Sequence, residues 1–358
     1  MAINVLVVDD SAFMRQLIKQ MLESDPAIKV VGVATDGLDA LNKIEFYHPQ
    51  VVTLDLEMPR MDGLSFLAEV MRKRPLPVVV VSSLAVEGGE QTLQALELGA
   101  VDFITKPTSR PSEALWRIQD ELVRKVKAAA EVTPDRIRQL PTVTPVQKKV
   151  LTSDLPPGIV AIGASTGGPR ALRYLLSHLP ADFPWGIIVA QHLPKEFIQS
   201  FALRLDSLSP LDVVVATENA EVLPGQVYVA PSGLQTGVVW EKGKFLIKLE
   251  ESDAIYRPSV DYLFASVAEA SKKRAIGVLL TGMGADGAYG LKLIKEGGGI
   301  TIAEAPATCV IYGMPRVAVE MGAVHYQLPL PEIPGSLLKI LARFSAKKMA
   351  RGAKDDTP

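Results

Sequence analysis

The chain has one cysteine, Cys309, and only four histidines, His48, His178, His192 and His325. A single thiol excludes an internal disulfide framework, and the apolar neighbours in ATCVIYGMP make Cys309 read as a buried core thiol rather than a nucleophile. No HExxH spacing occurs among the histidines, which removes a common zinc-hydrolase pattern. Net charge is nearly absent: 38 basic residues against 40 acidic ones leave a formal −2. That balance gives no argument for a nucleic-acid partner or an anionic membrane. There is no secretory n- and h-region and no long uninterrupted apolar span, so no direct membrane insertion is expected and the protein reads as cytoplasmic. Low-complexity tracts and the GxxxxGK(S/T) loop of nucleotide triphosphatases are missing too. What is present is 48% hydrophobic residues over a length of 358, enough to fill two cores.

INVLVV runs into DDS, followed by apolar residues at helical spacing, Phe13, Met14, Leu17, Ile18, Met21 and Leu22. This is a strand ending in carboxylates and leading into an amphipathic helix. VVGVA, VVTLDL, PVVVVSS and VDFITKP repeat the rhythm, separated by stretches such as GLDALNKIEFYH and EQTLQALELGA that suit helices. Five strands with intervening helices predict an α/β domain with a doubly wound parallel sheet over residues 1–122. Residues 123–155 should form a helical extension and then a linker broken by Pro134, Pro141, Pro145 and their followers. A second doubly wound α/β domain is expected over residues 156–347. Its strands are GIIVA, LDVVVAT, GQVYVAP, GVVW with FLIKL, AIGVLL, GGITIAE and AVHYQL. Its sheet should be predominantly parallel, with an antiparallel edge hairpin around EKGKF that makes it mixed there. Residues 348–358 read as a polar C-terminal tail that frays.

Chemistry gathers at the strand ends of the first domain. Asp9 and Asp10 follow the first strand, Asp55 ends the third, Ser82 and Ser83 follow the fourth, and Lys106 follows the fifth. Such positions converge at the carboxyl edge of a doubly wound sheet. Adjacent carboxylates repel one another unless a hard cation offsets them, and Mg2+ suits an oxygen-only site. Asp55 could then accept a phosphoryl group, with Lys106 neutralising one oxygen and Ser82, in preference to Ser83, donating to another. Singly each residue could merely flank a loop; five together favour the functional reading. DDSAFMRQ, LDLEMPRMDGL, VVVVSS and GAVDFITKP, within residues 2–122, resemble the receiver domain of two-component response regulators. The resemblance implies that Asp55 is the phosphoacceptor and that Asp9, Asp10 and Asp55 bind Mg2+. It also implies that Ser82 and Lys106 sense the phosphoryl group and that Phe103 holds the aromatic switch position.

In the second domain IVAIGASTGGP, residues 159–169, reads as a buried strand and a tight turn into a helix. Amides at that helix start could meet a phosphate, although the glycine spacing differs from GxGxxG. Equally, the turn could present the Ser165 hydroxyl. His192 follows a strand in IIVAQHLP, and Asp286 lies in the glycine-rich turn of GVLLTGMGADG. A serine nucleophile needs a base, and the base needs a carboxylate to hold its tautomer. Each residue has a plainer reading: Ser165 as a helix cap, His192 as a surface histidine, Asp286 as the cap of a helix near Gly287. Backbone amides near Thr166 or Met283 are candidates for meeting an oxyanion.

GASTGGP, AQHLP, YVAPSG, RPSVDYLF, LLTGMGADGAYG and YGMPR, over about residues 156–345, are similar to the chemotaxis protein-glutamate methylesterase family, whose full-length members carry an N-terminal receiver. The resemblance implies phosphorylation-regulated hydrolysis of glutamate γ-methyl esters on bacterial chemoreceptors, with methanol released, and deamidation of receptor glutamines. It assigns Ser165 as nucleophile, His192 as general base and acid, and Asp286 as the orienting carboxylate, with Thr166 and Met283 in the active-site surroundings; ester hydrolysis needs no cofactor. The implied partners are the cytoplasmic domains of methyl-accepting chemoreceptors and a chemotaxis histidine kinase as phosphodonor, with recruitment from the cytoplasm to membrane-bound receptor arrays. AEAPAT at 303–308 departs from the family's AQD-like run. A substrate ester carried on a helix calls for a shallow cleft, and Arg257 would either contact an acidic receptor segment or form a structural salt bridge. Two competing readings are a phosphorylation-controlled partner-binding switch without hydrolysis and a nucleotide-dependent enzyme built on GASTGG.

Overall fold

A computed structural model describes residues 2–82, 86–106, 113–137 and 155–355. The chain divides into two compact units, Met1–Gln139 and Leu140–Pro358. No helix among the described residues is long and apolar enough to cross a membrane.

The first unit alternates strand and helix: β1 (Ile3–Val8), α1 (Ala12–Glu23), β2 (Ile28–Ala34), α2 (Gly37–Tyr47) and β3 (Val51–Asp55). It continues through α3 (Gly63–Lys73), β4 (Val78–Ser82), α4 (Val86–Leu98), β5 (Asp102–Thr105), α5 (Glu113–Ala130) and a short α6 (Pro134–Ile137). The strands pair in the order β2-β1-β3-β4-β5, all parallel. β3 and β4 are buried at every position, which is why VVTLD and VVVVS show no polar alternation. Helix starts are set by side chains: Ser11, Asp36 and Asp62 each accept a backbone N–H in the first turn of α1, α2 and α3. Ser83 and most of the proline-broken stretch lie outside the described residues.

The second unit opens with β6 (Ile159–Ala164), α7 (Gly168–Ser177), β7 (Gly186–Gln191), α8 (Lys195–Leu208), β8 (Asp212–Val215) and β9 (Gln226–Val229). A hairpin of β10 (Gln235–Glu241) and β11 (Lys244–Glu250) follows, then α9 (Val260–Ser271), β12 (Ala275–Leu279) and α10 (Ala288–Glu296). β13 (Ile300–Glu304), α11 (Met314–Glu320), β14 (Tyr326–Leu328) and α12 (Ile333–Asp355) complete it, so helix continues into the stretch expected as a polar tail. Seven strands pair in the order β14-β13-β12-β6-β7-β9-β8, every pair parallel.

The hairpin turns at Lys242–Gly243, where both residues have positive φ, but it does not make the main sheet mixed. β10 and β11 form a separate two-stranded sheet. The physical reason is its apolar face: Val238, Phe245 and Ile247 are buried in one core with Leu263, Phe264 and Val267 of α9, and the Val238 amide donates to Ser266 Oγ at 3.1 Å. β6, first in sequence, lies between β7 on one side and β12 on the other. The chain therefore reverses its winding direction at β6, and the crevice beyond the carboxyl ends of the central strands is the usual ligand position in such folds.

Candidate functional site

Ser165 is the first residue after β6. Its amide donates to the Thr281 carbonyl at 3.0 Å, beyond the end of β12, and its own carbonyl accepts from the Gly168 amide at 2.8 Å, closing the turn into α7. Gly167 takes φ 77°, and a Cβ there would lie 2.6 Å from the Val310 side chain, so the turn requires glycine on both counts. His192 follows β7, with its amide donating to the Ala164 carbonyl at 3.2 Å. These main-chain links align the ends of three neighbouring strands, and the side chains meet there.

His192 Nδ1 lies 3.1 Å from Ser165 Oγ, and His192 Nε2 lies 2.8 Å from Asp286 Oδ2. In the familiar serine triad Nε2 faces the serine; here Nδ1 does. The chemistry is the same, since a neutral imidazole always has one acceptor and one donor nitrogen. Asp286 does not cap the helix that follows it: Gly287, the N-cap of α10, makes no side-chain cap bond. Its carboxylate sits instead at the start of α9, accepting from the Val260 amide at 2.8 Å, the Asp261 amide at 3.0 Å and Ser259 Oγ at 2.9 Å. Burial would raise its pKa, but the His192 contact and the Asp261 and Val260 amides outweigh burial and hold the carboxyl below its ordinary value. Asp286 is thus an anion at neutral pH, seated on the positive end of a helix.

Thr166 is buried, and its carbonyl accepts from Thr281 Oγ1 at 2.9 Å. Met283 is half-buried and follows Gly282, where a Cβ would lie 2.9 Å from Ser165 Cβ; both expected surroundings therefore border the serine. Arg257 donates to the Ser252 carbonyl at 2.9 Å and makes no ion pair among the described residues. Sequence reasoning missed Tyr256, whose ring stacks on His192 with centroids 4.6 Å apart and planes 4° from parallel. Its only sequence signal is adjacency to RPSVD. It also missed Glu304, fully buried at the end of β13, whose Oε2 accepts from the Thr281 amide at 2.9 Å. Burial pushes this carboxyl up to about 7, against the pull of the Thr281 amide, Thr308, Cys309 and the Arg170 charge. Glu304 belongs to the AEAPAT run that departs from the family pattern.

In the first unit Asp9 and Asp55 are buried and Asp10 is exposed, and one carboxylate oxygen from each lies within 4.8 Å of the others. Lys106 Nζ is 2.6 Å from Asp55 Oδ2 and 3.7 Å from Asp9 Oδ2. Burial and then the Asp55 charge raise Asp9 to about 6 despite Lys106. Burial likewise raises Asp55, with Lys106 opposing. An all-oxygen donor set with crowded negative charge, including the buried Asp9 Oδ2 that has no hydrogen-bond partner among the described residues, fits a hard divalent cation. Ser82 ends β4, buried, and accepts from Thr92 Oγ1 at 2.5 Å. Phe103 is buried in β5, with Lys125 Nζ 5.3 Å from its ring centroid.

Residues 160–337 match the CheB methylesterase family, and residues 5–115 match the response regulator receiver domain. A protein-glutamate methylesterase/protein-glutamine glutaminase of Symbiobacterium thermophilum is 48% identical over 94% of this chain and 96% of its own length. One of the same name from Thermotoga maritima is 44% identical over 95% and 98% respectively. The crystal structure of the Thermotoga maritima CheB methylesterase catalytic domain is similar at 45% identity, with a TM-score of 0.50 over 51% of this chain and 98% of that one.

Proposed function

Since the chain belongs to the CheB methylesterase family, with a response-regulator receiver domain ahead of the methylesterase domain, we propose that it hydrolyses glutamate γ-methyl esters on the cytoplasmic domains of bacterial chemoreceptors, releasing methanol. The observation that supports this reading is the hydrogen-bonded relay from Ser165 Oγ through His192 to Asp286.

Ser165 Oγ attacks the ester carbonyl as His192 Nδ1 takes its proton. Asp286 holds the Nε2 proton and offsets the imidazolium charge. Backbone amides near Thr166 and Met283 receive the developing oxyanion. The imidazolium returns the proton to the methoxide oxygen, methanol departs, and a glutamyl ester remains on Ser165. Water, deprotonated by the same imidazole, cleaves it and leaves a free carboxylate on the receptor. With a glutamine side chain the leaving group is ammonia and the sequence is otherwise unchanged, which is the deamidase activity. No cofactor takes part in these steps.

Asp55 accepts a phosphoryl group from a chemotaxis histidine kinase, and the esterase rate rises in response. Asp9, Asp10 and Asp55 would hold Mg2+, whose charge would offset that of the phosphoryl group. Ser82 and Lys106 contact the phosphoryl oxygens and Phe103 responds. The domains proposed are residues 1–122 as receiver and 156–347 as methylesterase, and the protein works at membrane-bound receptor arrays. The test is time-resolved methanol release from methylated receptor membranes, with and without an Asp55 phosphodonor. Release that accelerates with the phosphodonor and vanishes in Ser165→Ala supports the reading; Ser165-independent release, or none, refutes it in favour of a partner-binding switch.

A further inference from the structure

The two hydrogen bonds of His192 leave from opposite ends of its ring, to Ser165 Oγ and Asp286 Oδ2. With the Cβ–Cγ bond they locate the ring, but each hydrogen bond alone tolerates some rotation about Cβ–Cγ before it is lost. A ring that rolls swings its Nδ1 lone pair out of the path of the serine proton. Tyr256 lies flat against one face, with centroids 4.6 Å apart and planes 4° from parallel, so it opposes that rotation. Its face also carries the negative lobe of the aromatic quadrupole, turned toward a ring that becomes a cation once the serine proton arrives.

The placement of Tyr256 is built. Its carbonyl accepts from Gln235 Nε2 at 2.8 Å, while Gln235 Oε1 accepts from the Ser259 amide at 2.9 Å, and Ser259 Oγ donates to Asp286 Oδ1 at 2.9 Å. Gln235 is almost wholly buried, so one amide side chain registers the stacking tyrosine against the carboxylate. The following residue is tied as well, its carbonyl accepting from the Gly233 amide at 3.0 Å. The residue before, Ile255, is 92% exposed, and Tyr256 is 40% exposed with one face of its ring laid over the imidazole.

From this geometry we infer that Tyr256 is a positioning residue for the reaction: it holds the His192 ring in the plane that serves Ser165 and stabilises the positive charge the ring takes on. The inference rests on the esterase reading above. The test measures methanol release by the intact phosphorylated protein across receptor concentration, for the unsubstituted chain, Tyr256→Leu and Tyr256→Phe. Leu should lower kcat roughly tenfold with KM unchanged, the equivalent of about 1.4 kcal/mol, and Phe, which keeps the flat face, should restore it. Three results overturn the inference alone while the esterase reading stands: kcat kept in Tyr256→Leu, a KM rise with kcat kept, or Tyr256→Phe falling as far as Leu. Absence of Ser165-dependent release from the unsubstituted chain overturns the esterase reading, and the inference with it.

Discussion

Replacing Glu304 by Gln should make the protein more stable at pH 8, by a margin that shrinks as pH falls toward 5. The carboxyl is completely buried and its pKa rises from 4.5 to about 7, chiefly through burial. The folded state therefore binds this proton more tightly than the unfolded state. Its contribution is fully present below about 4.5 and is lost as pH rises through about 7. At about 1.4 kcal/mol per pH unit, that displacement amounts to about 3 kcal/mol of stability lost by pH 8. The amide introduced by Glu304→Gln would keep an acceptor for the Thr281 amide, which Glu304 Oε2 now meets at 2.9 Å, without ionising. Urea unfolding between pH 5 and 8, followed by tryptophan fluorescence, reads the effect through Trp185 and Trp240 in the second unit. Other groups raised by burial, such as Asp9, affect both proteins equally and cancel in the difference. A difference between the two midpoints that stays constant across this pH range would refute the reasoning.

Asp286→Asn should lower kcat by roughly 10⁴-fold, because an NH2 in the place of Oδ2 donates to His192 Nε2 and favours the wrong tautomer; the Asp261 amide keeps its acceptor at the Oδ1 place but the Val260 amide then meets a donor, so the thermal midpoint should fall as well. Asp55→Asn should abolish the acceleration of methanol release by a small phosphodonor while leaving the basal rate. Arg257→Ala should raise the receptor concentration needed for half-maximal rate without changing kcat; an unchanged requirement removes Arg257 from receptor contact.

Both sheets were readable because buried parallel strands print as unbroken runs such as VVVVS and IVAIGA. Ser165, His192 and Asp286 were readable as strand-end residues beside turn motifs. Their mutual distances were not, since these depend on β6 lying between β7 and β12, a pairing order that no local pattern specifies. The hairpin was legible as a hairpin from its turn residues, but its partner was not: the face of Val238, Phe245 and Ile247 could have met a strand or a helix, and it meets α9. The role of Asp286 as the carboxylate beside His192 was legible, with a cap for the helix after it as the plainer alternative, but what holds its carboxylate was not. Only the folded chain brings the start of α9, earlier in sequence, onto its carboxylate. Tyr256 and Glu304 escaped notice because stacking and burial are properties of the neighbours and not of the residues themselves.

The strand order also has a consequence for when the molecule can first react. Ser165 and His192 are 27 positions apart, and His192 and Asp286 are 94 apart. β6 pairs with β7 through a crossover of modest length, but its other neighbour, β12, emerges only after two further strands and the hairpin have been made. Long-range parallel pairings of this kind form late, because the chain entropy of closing the loop is lost before any contact compensates it. A growing or half-folded polypeptide can thus bring serine and histidine together without the carboxylate. Hydrolytic competence arrives with the last central pairing, so recovery of esterase rate after dilution from urea would time that event, later than recovery of helix signal.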